Sequence, residues 1–175
     1  YDALKGLLYN KKNIILQGAP GVGKTFAAKR LAYSVMGEKD DSRVELIQLH
    51  QNYSYEDFII GYKPSGQGYE LQTGIFYKFC QKAANNPEKP YFFIIDEINR
   101  ADLSKVFGEL MYCLETDKRG SENRIQTQYA NLHTYNPEEG DYYSEDIFEK
   151  GFYIPKNVII IGPMNDIDRY VESMD

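Results

Sequence analysis

Three short groups of residues in this chain have the types and spacing to handle a phosphate-bearing ligand. The first is Gly18-Ala19-Pro20-Gly21-Val22-Gly23-Lys24-Thr25, directly after the apolar run Ile14-Ile15-Leu16. It fits G-x-x-x-x-G-K-[ST] in the context where that pattern has a mechanism, at the end of a strand and the start of a helix. Glycines at 18, 21 and 23 permit backbone angles closed to other residues, so successive N–H groups can point inward at phosphate oxygens while the helix N-terminus adds partial positive charge. Lys24 would reach the β- and γ-phosphates, and the Thr25 hydroxyl would take one position on a bridging Mg²⁺. Phe26 is counted with this nucleotide-contacting stretch.

The second group is Phe92-Phe93-Ile94-Ile95-Asp96-Glu97, an apolar run that delivers two acids to its end. Asp96 suits a water-mediated hold on the magnesium. Glu97 suits orientation and activation of the water that attacks the γ-phosphate. Two acids after an apolar strand are also what solvated strand-end residues look like; the phosphate loop upstream favours the chemical reading. The third group is Ile161-Gly162-Pro163-Met164-Asn165-Asp166-Ile167-Asp168-Arg169. An amide at Asn165 can hydrogen-bond both the γ-phosphate and the attacking water, and it can equally cap a turn. Asp168 and Arg169 fit a functional pair or a plain ion pair of small energetic consequence.

The elements that must position these groups alternate. Helical spacing covers residues 1–9, 26–36, 75–84 and 103–115. Strand patterns cover 13–17, 44–49, 91–95 and 158–161, with a short hairpin expected around Pro64-Ser65-Gly66. This order implies an α/β fold: a mostly parallel sheet covered by helices on both faces, with its ligand beyond the carboxyl ends of the strands, where all three groups fall. Residues 119–152 are polar and rich in Asn, Glu and Tyr, and read as a long surface excursion.

Composition narrows the partners. With 175 residues and a net charge of -6, the chain suits one α/β domain and lacks the basic surplus expected of a nucleic-acid-binding face, so DNA contact would lie elsewhere. Cys80 and Cys113 have no metal-site spacing and sit among apolar or aromatic neighbours, as buried reduced thiols do; His50 and His133 add nothing to a metal site. No signal peptide or membrane-length apolar run is present, so a cytosolic location without membrane contact is expected.

The same residues carry a family resemblance. The loop at 18–25, Asp96-Glu97 and Asn165 resemble Walker A, Walker B and sensor 1 of an AAA+ ATPase, a P-loop NTPase of three α/β/α layers. His50-Gln51-Asn52-Tyr53-Ser54-Tyr55-Glu56-Asp57-Phe58, Gly74-Ile75-Phe76-Tyr77, Asp96-Glu97-Ile98-Asn99-Arg100-Ala101 and Met164-Asn165-x-x-Asp168-Arg169 resemble, more narrowly, the McrB-type GTPase subunit of 5-methylcytosine-specific restriction systems. That family lies in the clade shared with MoxR-like and dynein-related proteins, and the resemblance implies that residues 51–74 are the clade's insertion. Asp102 stands where the family leads one to expect Asn, and Tyr170 where Ser is usual.

The resemblance implies a hexameric motor subunit that binds GTP rather than ATP, answers to an McrC-like nuclease and drives DNA translocation through the complex. A carboxylate can accept both guanine donors, N1–H and the exocyclic amine; Asp2, in the segment before the first strand, is the candidate, with a helix cap as the alternative. Arg100 could face a neighbour's γ-phosphate or form a plain salt bridge. The family continues beyond Asp175 into an arginine-rich stretch and a helical lid, and carries an N-terminal DNA-reading domain. Residues 1–175 are therefore expected to be the large subdomain alone. An arginine finger contributes about 10³ to 10⁵ in turnover, so this segment is expected to bind nucleotide better than it hydrolyses it. A remodelling ATPase of the MoxR or dynein-related kind, and a nucleotide-dependent scaffold with little turnover, remain as alternatives.

Overall fold

In the computed structural model the described residues are 2–18, 23–127, 135–136, 141–142 and 147–165, with only the backbone described at 2, 4, 135, 136, 141, 142 and 165. Helix α1 (Asp2–Lys11) leads into β1 (Asn13–Gly18), and α2 (Lys24–Met36) follows the glycine-rich loop. Then come β2 (Val44–Gln48), α3 (Tyr55–Phe58), the strands β3 (Ile60–Ser65) and β4 (Gly68–Thr73), and α4 (Ile75–Ala84). After β5 (Tyr91–Asp96) and α5 (Leu103–Phe107) lie two short strands, β6 (Tyr135–Asn136) and β7 (Asp141–Tyr142), and finally β8 (Val158–Asn165).

Four strands make one parallel sheet in the order β1-β8-β5-β2. Side chains alternate across a strand, so the continuous apolar run of β5 serves two cores at once. Phe92 and Ile94 pack with Leu8, Ala28, Leu31, Ala32 and Val35 beneath α1 and α2. Phe93 and Ile95 point to the other face, into a cluster containing Phe58, Phe76, Phe79, Phe107 and Leu110. Phe58 is the hub of that cluster. Its ring lies parallel to Phe76 at 4.9 Å and edge-on to Phe107 at 4.8 Å and Phe93 at 5.7 Å, separations at which aromatic quadrupoles attract. The three-layer α/β/α architecture expected from the alternation is the one observed.

The hairpin expected around Pro64 is formed by β3 and β4, closed at Ser65 opposite Gly68. Two expectations need correction. Helical spacing over residues 103–115 gives an α-helix only to Phe107; Gly108 takes φ 57° and ψ −133°, and the chain continues as a 3₁₀ turn over Gly108–Leu114. The spacing persisted because Leu110 and Cys113 still face the core. Second, the 119–152 excursion is not wholly superficial. Arg119, Thr127, Phe148 and Phe152 are buried, and Ile125 bridges Phe152 through two backbone hydrogen bonds of 2.8 Å. Arg119 is held by the carbonyls of Leu114, Pro155 and Val158 at 3.0, 3.4 and 2.8 Å and by Asn13 Oδ1 at 2.9 Å, and its burial lowers its pKa to about 10. Both cysteines are free and buried, as expected, and burial pushes their thiols up. Among the described residues no helix is long and apolar enough to cross a membrane.

Candidate functional site

The sheet register lines up the candidate residues along one edge. Gly18 pairs with Asn165 and Gln48 with Asp96, so the carboxyl ends of the strands present Gly18, Asn165, Asp96 and Gln48 in that order across the sheet. Gly23 occupies the left-handed region (φ 71°, ψ 35°) as the residue before α2, where a Cβ would be strained, and Lys24 starts the helix. Lys24 Nζ donates to the Gly18 carbonyl at 2.8 Å, folding the ammonium back over the end of β1. Thr25 is half-buried on the first turn of the helix. Phe26 points outward, 66% exposed, with the Arg30 guanidinium 5.7 Å from its ring.

The acids are built into the end of β5. Asp96 is half-buried; its carbonyl accepts from Leu49 N at 2.9 Å, and its Oδ1 accepts from Glu97 N at 2.9 Å. Glu97 lies in the left-handed region, φ 52° and ψ 46°, a conformation that costs a non-glycine residue about 1–3 kcal/mol and persists where neighbours impose it. Its N–H donates to Asp96 Oδ1 and its carbonyl accepts from Arg100 N, both at 2.9 Å, while two neighbours hold the side chain. Glu97 Oε2 accepts from Gln48 Nε2 at 3.2 Å and pairs with Arg100 Nε at 3.3 Å. Gln48 ends the strand on the far side of β5 from β8, so the carboxylate is turned away from β8 and β1. Arg100 is 58% exposed, and a pair so wetted contributes at most about 1 kcal/mol. Beside Glu97 opens a cleft of about 450 Å³ lined by Gln48, Leu49, His50, Gln51, Glu97 and Arg100.

The remaining sequence candidates are placed only in part. Asp2 opens α1, with its side chain outside the described residues; the Asn165 side chain is also outside them. Residues Ala19, Pro20, Gly21 and Val22 of the loop, together with Asp168 and Arg169, lie outside the described residues altogether.

The donor set can be tested against magnesium. Among the described residues no group of three or more His, Cys, Asp or Glu could hold a metal. One carboxylate, Asp96, and one hydroxyl, Thr25, are hard oxygen donors of the few that Mg²⁺ takes from a protein when phosphates and water complete its shell. The residues therefore fit a cation that arrives with its nucleotide.

Residues 13–175 match the family described as "AAA domain (dynein-related subfamily)". The chain belongs to that family. This AAA domain is 55% identical over 165 residues to the "Type IV methyl-directed restriction enzyme EcoKMcrB subunit" of Escherichia coli (strain K12), a match covering 94% of this chain and 33% of the relative. It is 26% identical over 190 residues to the "Type II restriction enzyme BsuMI component YdiS" of Bacillus subtilis (strain 168), covering 94% of this chain and 53% of that one. The domain thus spans a third of the first relative's length and about half of the second's. The McrB-type resemblance of the motif strings is borne out at this level. What sequence reasoning missed is Gln48. Its signal was a polar side chain closing the strand beside the acid-bearing one, at the carboxyl edge where the ligand is expected.

Proposed function

We propose that this AAA domain is the nucleotide-driven motor segment of a modification-dependent restriction complex, binding GTP with Mg²⁺ and hydrolysing it weakly as an isolated segment. The observation that carries the reading is the order Gly18, Asn165, Asp96 along one sheet edge with Lys24 folded over its end. In that frame the backbone of 18–25 and the Lys24 ammonium bind the phosphates, with the Phe26 backbone beside them and its ring turned outward. Thr25 and Asp96 would hold Mg²⁺, which would supply charge neutralisation between the β- and γ-phosphates. Glu97, once turned from Gln48 toward β8, takes the proton of the attacking water, and Asn165 senses the γ-phosphate.

Asp2 is the proposed acceptor for guanine. Arg100, Asp168 and Arg169 are proposed to act at the contact between copies in a hexameric ring. The whole complex, on this reading, includes an McrC-like nuclease subunit and moves DNA through itself, consistent with a relative whose name is methyl-directed restriction enzyme subunit. The clade insertion at 51–74 and the reading of 1–175 as the large, nucleotide-binding subdomain belong to the same proposal. The family's dynein-related description favours a second reading, an ATP-driven remodelling subunit.

Calorimetric titration with non-hydrolysable GTP and ATP analogues plus Mg²⁺ separates the two. An acceptor left unpaired by adenine costs about 1–3 kcal/mol, so GTP should bind roughly 5- to 150-fold more tightly. Equal or ATP-favoured affinity overturns the guanine reading.

A further inference from the structure

A second cleft, of about 400 Å³, runs along the outer face of α2 to the edge strand β2, and its chemistry differs from that of the rest of the chain. Phe26 and Tyr33 supply aromatic rings and Leu46 an exposed aliphatic side chain, while Lys29, Arg30 and Lys39 supply charge. Arg30 and Lys39 lie over the Phe26 and Tyr33 rings at 5.7 and 5.9 Å, and none of the three cations forms an ion pair among the described residues. The one acid lining the cleft, Asp41, accepts a hydrogen bond from the Tyr33 hydroxyl. The cleft therefore nets +2, and the remainder of a chain of net charge -6 carries -8.

A surface of opposite character lies on the other layer. The 3₁₀ turn Gly108–Leu114 exposes Met111 (39%) and Tyr112 (58%), flanked by the exposed acids Glu109, Glu115 and Asp117, with Lys118 as the cation above the Tyr112 ring at 5.2 Å. Its buried residues Leu110 and Cys113 belong to the core beneath Phe93 and Ile95, whereas α2 belongs to the core beneath Phe92 and Ile94. The two surfaces thus sit on opposite faces of the sheet.

We propose that the basic aromatic cleft on α2 and β2 receives the acidic Met111–Tyr112 surface of a second copy of this chain. It rests on the reading above that copies assemble, and names the faces through which they do so. Because the two faces differ and lie on opposite layers, the contact is heterologous. A pair leaves the acidic surface of one copy and the cleft of the other open, so further copies add until a ring closes. Rings and cations also suit a single-stranded nucleic acid, but that partner would leave the matching surface on the other layer unexplained.

Charge reversal tests the pairing by sedimentation velocity. Like charges across an interface are strongly disfavoured, so Lys29→Glu with Arg30→Glu, or Glu115→Lys with Asp117→Lys, should each weaken self-association by about a hundredfold. An equimolar mixture of the two variants should restore it, since each reversed cleft then meets a reversed surface; restoration also shows that both variants fold. The proposal is overturned if the unaltered chain stays monomeric at high concentration, if either variant assembles like it, or if the mixture does not recover. It is overturned too if cleft reversal removes only binding of an oligodeoxythymidine. Mg²⁺–GTP titration of the same proteins reads the functional proposal separately: lost nucleotide binding with intact mixing behaviour sinks that reading and spares this one.

Discussion

Gln48 Nε2 donates to Glu97 Oε2 at 3.2 Å, across the boundary between β2 and β5 and away from β8 and β1. The bond holds a carboxylate whose proposed task lies on the opposite side of its strand. Gln48→Leu should release it. A hydrogen bond of this kind is worth about 1 kcal/mol net, so basal nucleotide turnover is expected to rise about fivefold with nucleotide affinity unchanged. Glu97→Gln should lower turnover by about 10²–10⁴-fold while sparing affinity. A fall in turnover for Gln48→Leu in a phosphate-release assay would show instead that Gln48 holds Glu97 in its working orientation.

Gly162 on β8 lies against Ile98, in the segment directly after the acids. A Cβ there would lie 2.4 Å from Ile98 Cδ1 and 3.1 Å from Ile15 Cδ1. Ile98 is buried directly after Glu97, so Gly162→Ala must displace the Ile98 side chain, next along the chain from the acid. Overpacking of this kind costs about 1–3 kcal/mol. Urea unfolding should show that loss, accompanied by reduced turnover; unchanged stability with normal turnover would mean that Ile98 gives way freely.

The aromatic cluster carries much of the stability of its layer. Phe58 is fully buried among Phe76, Phe93 and Phe107, and its truncation leaves a cavity that rigid rings refill poorly. Phe58→Ala is expected to destabilise the chain by about 3–5 kcal/mol in chemical denaturation. Phe58→Leu should recover part of that loss. A cost below about 1 kcal/mol for the alanine variant would show that α3 and α5 repack.

Asp40 accepts hydrogen bonds from Ser42 Oγ at 2.5 Å, Arg43 Nε at 2.8 Å and Ser42 N at 3.1 Å. Ser42, then Arg43, hold its carboxyl at about 2, below the ordinary 3.8. The unfolded chain therefore takes up this proton first as pH falls. The stabilising contribution is complete above pH 3.8 and disappears as pH drops through about 2. In Asp40→Asn that component of acid unfolding should vanish; an NMR titration placing Asp40 at its ordinary value would contradict the geometry.

Much of the fold was legible because its signals are local. An unbroken apolar run from Tyr91 to Ile95 has to be a strand buried on both faces, and the glycine-lysine pattern after β1 has to be a loop entering a helix. Periodicity failed at Gly108 because core-facing spacing survives a change from α to 3₁₀ winding. It failed at Arg119 because composition treats an arginine as solvated, whereas its partners are carbonyls and one amide oxygen from Asn13, Leu114, Pro155 and Val158, which sequence distance hides. Gln48 escaped for the same reason: its meaning comes from a register partner forty-eight residues away, Asp96, and from Glu97 beyond it.

The guanidinium of Arg119 fastens the amino-terminal rim of β1 and β8, the end of the sheet opposite Gly18 and Asn165. Ile125 and Phe152 clasp the chain just beyond it. Strand alignment is thereby anchored at the rim where no chemistry is proposed. The opposite rim is left to carry the residues whose proposed work requires movement, Glu97 first among them, without the strand register depending on them.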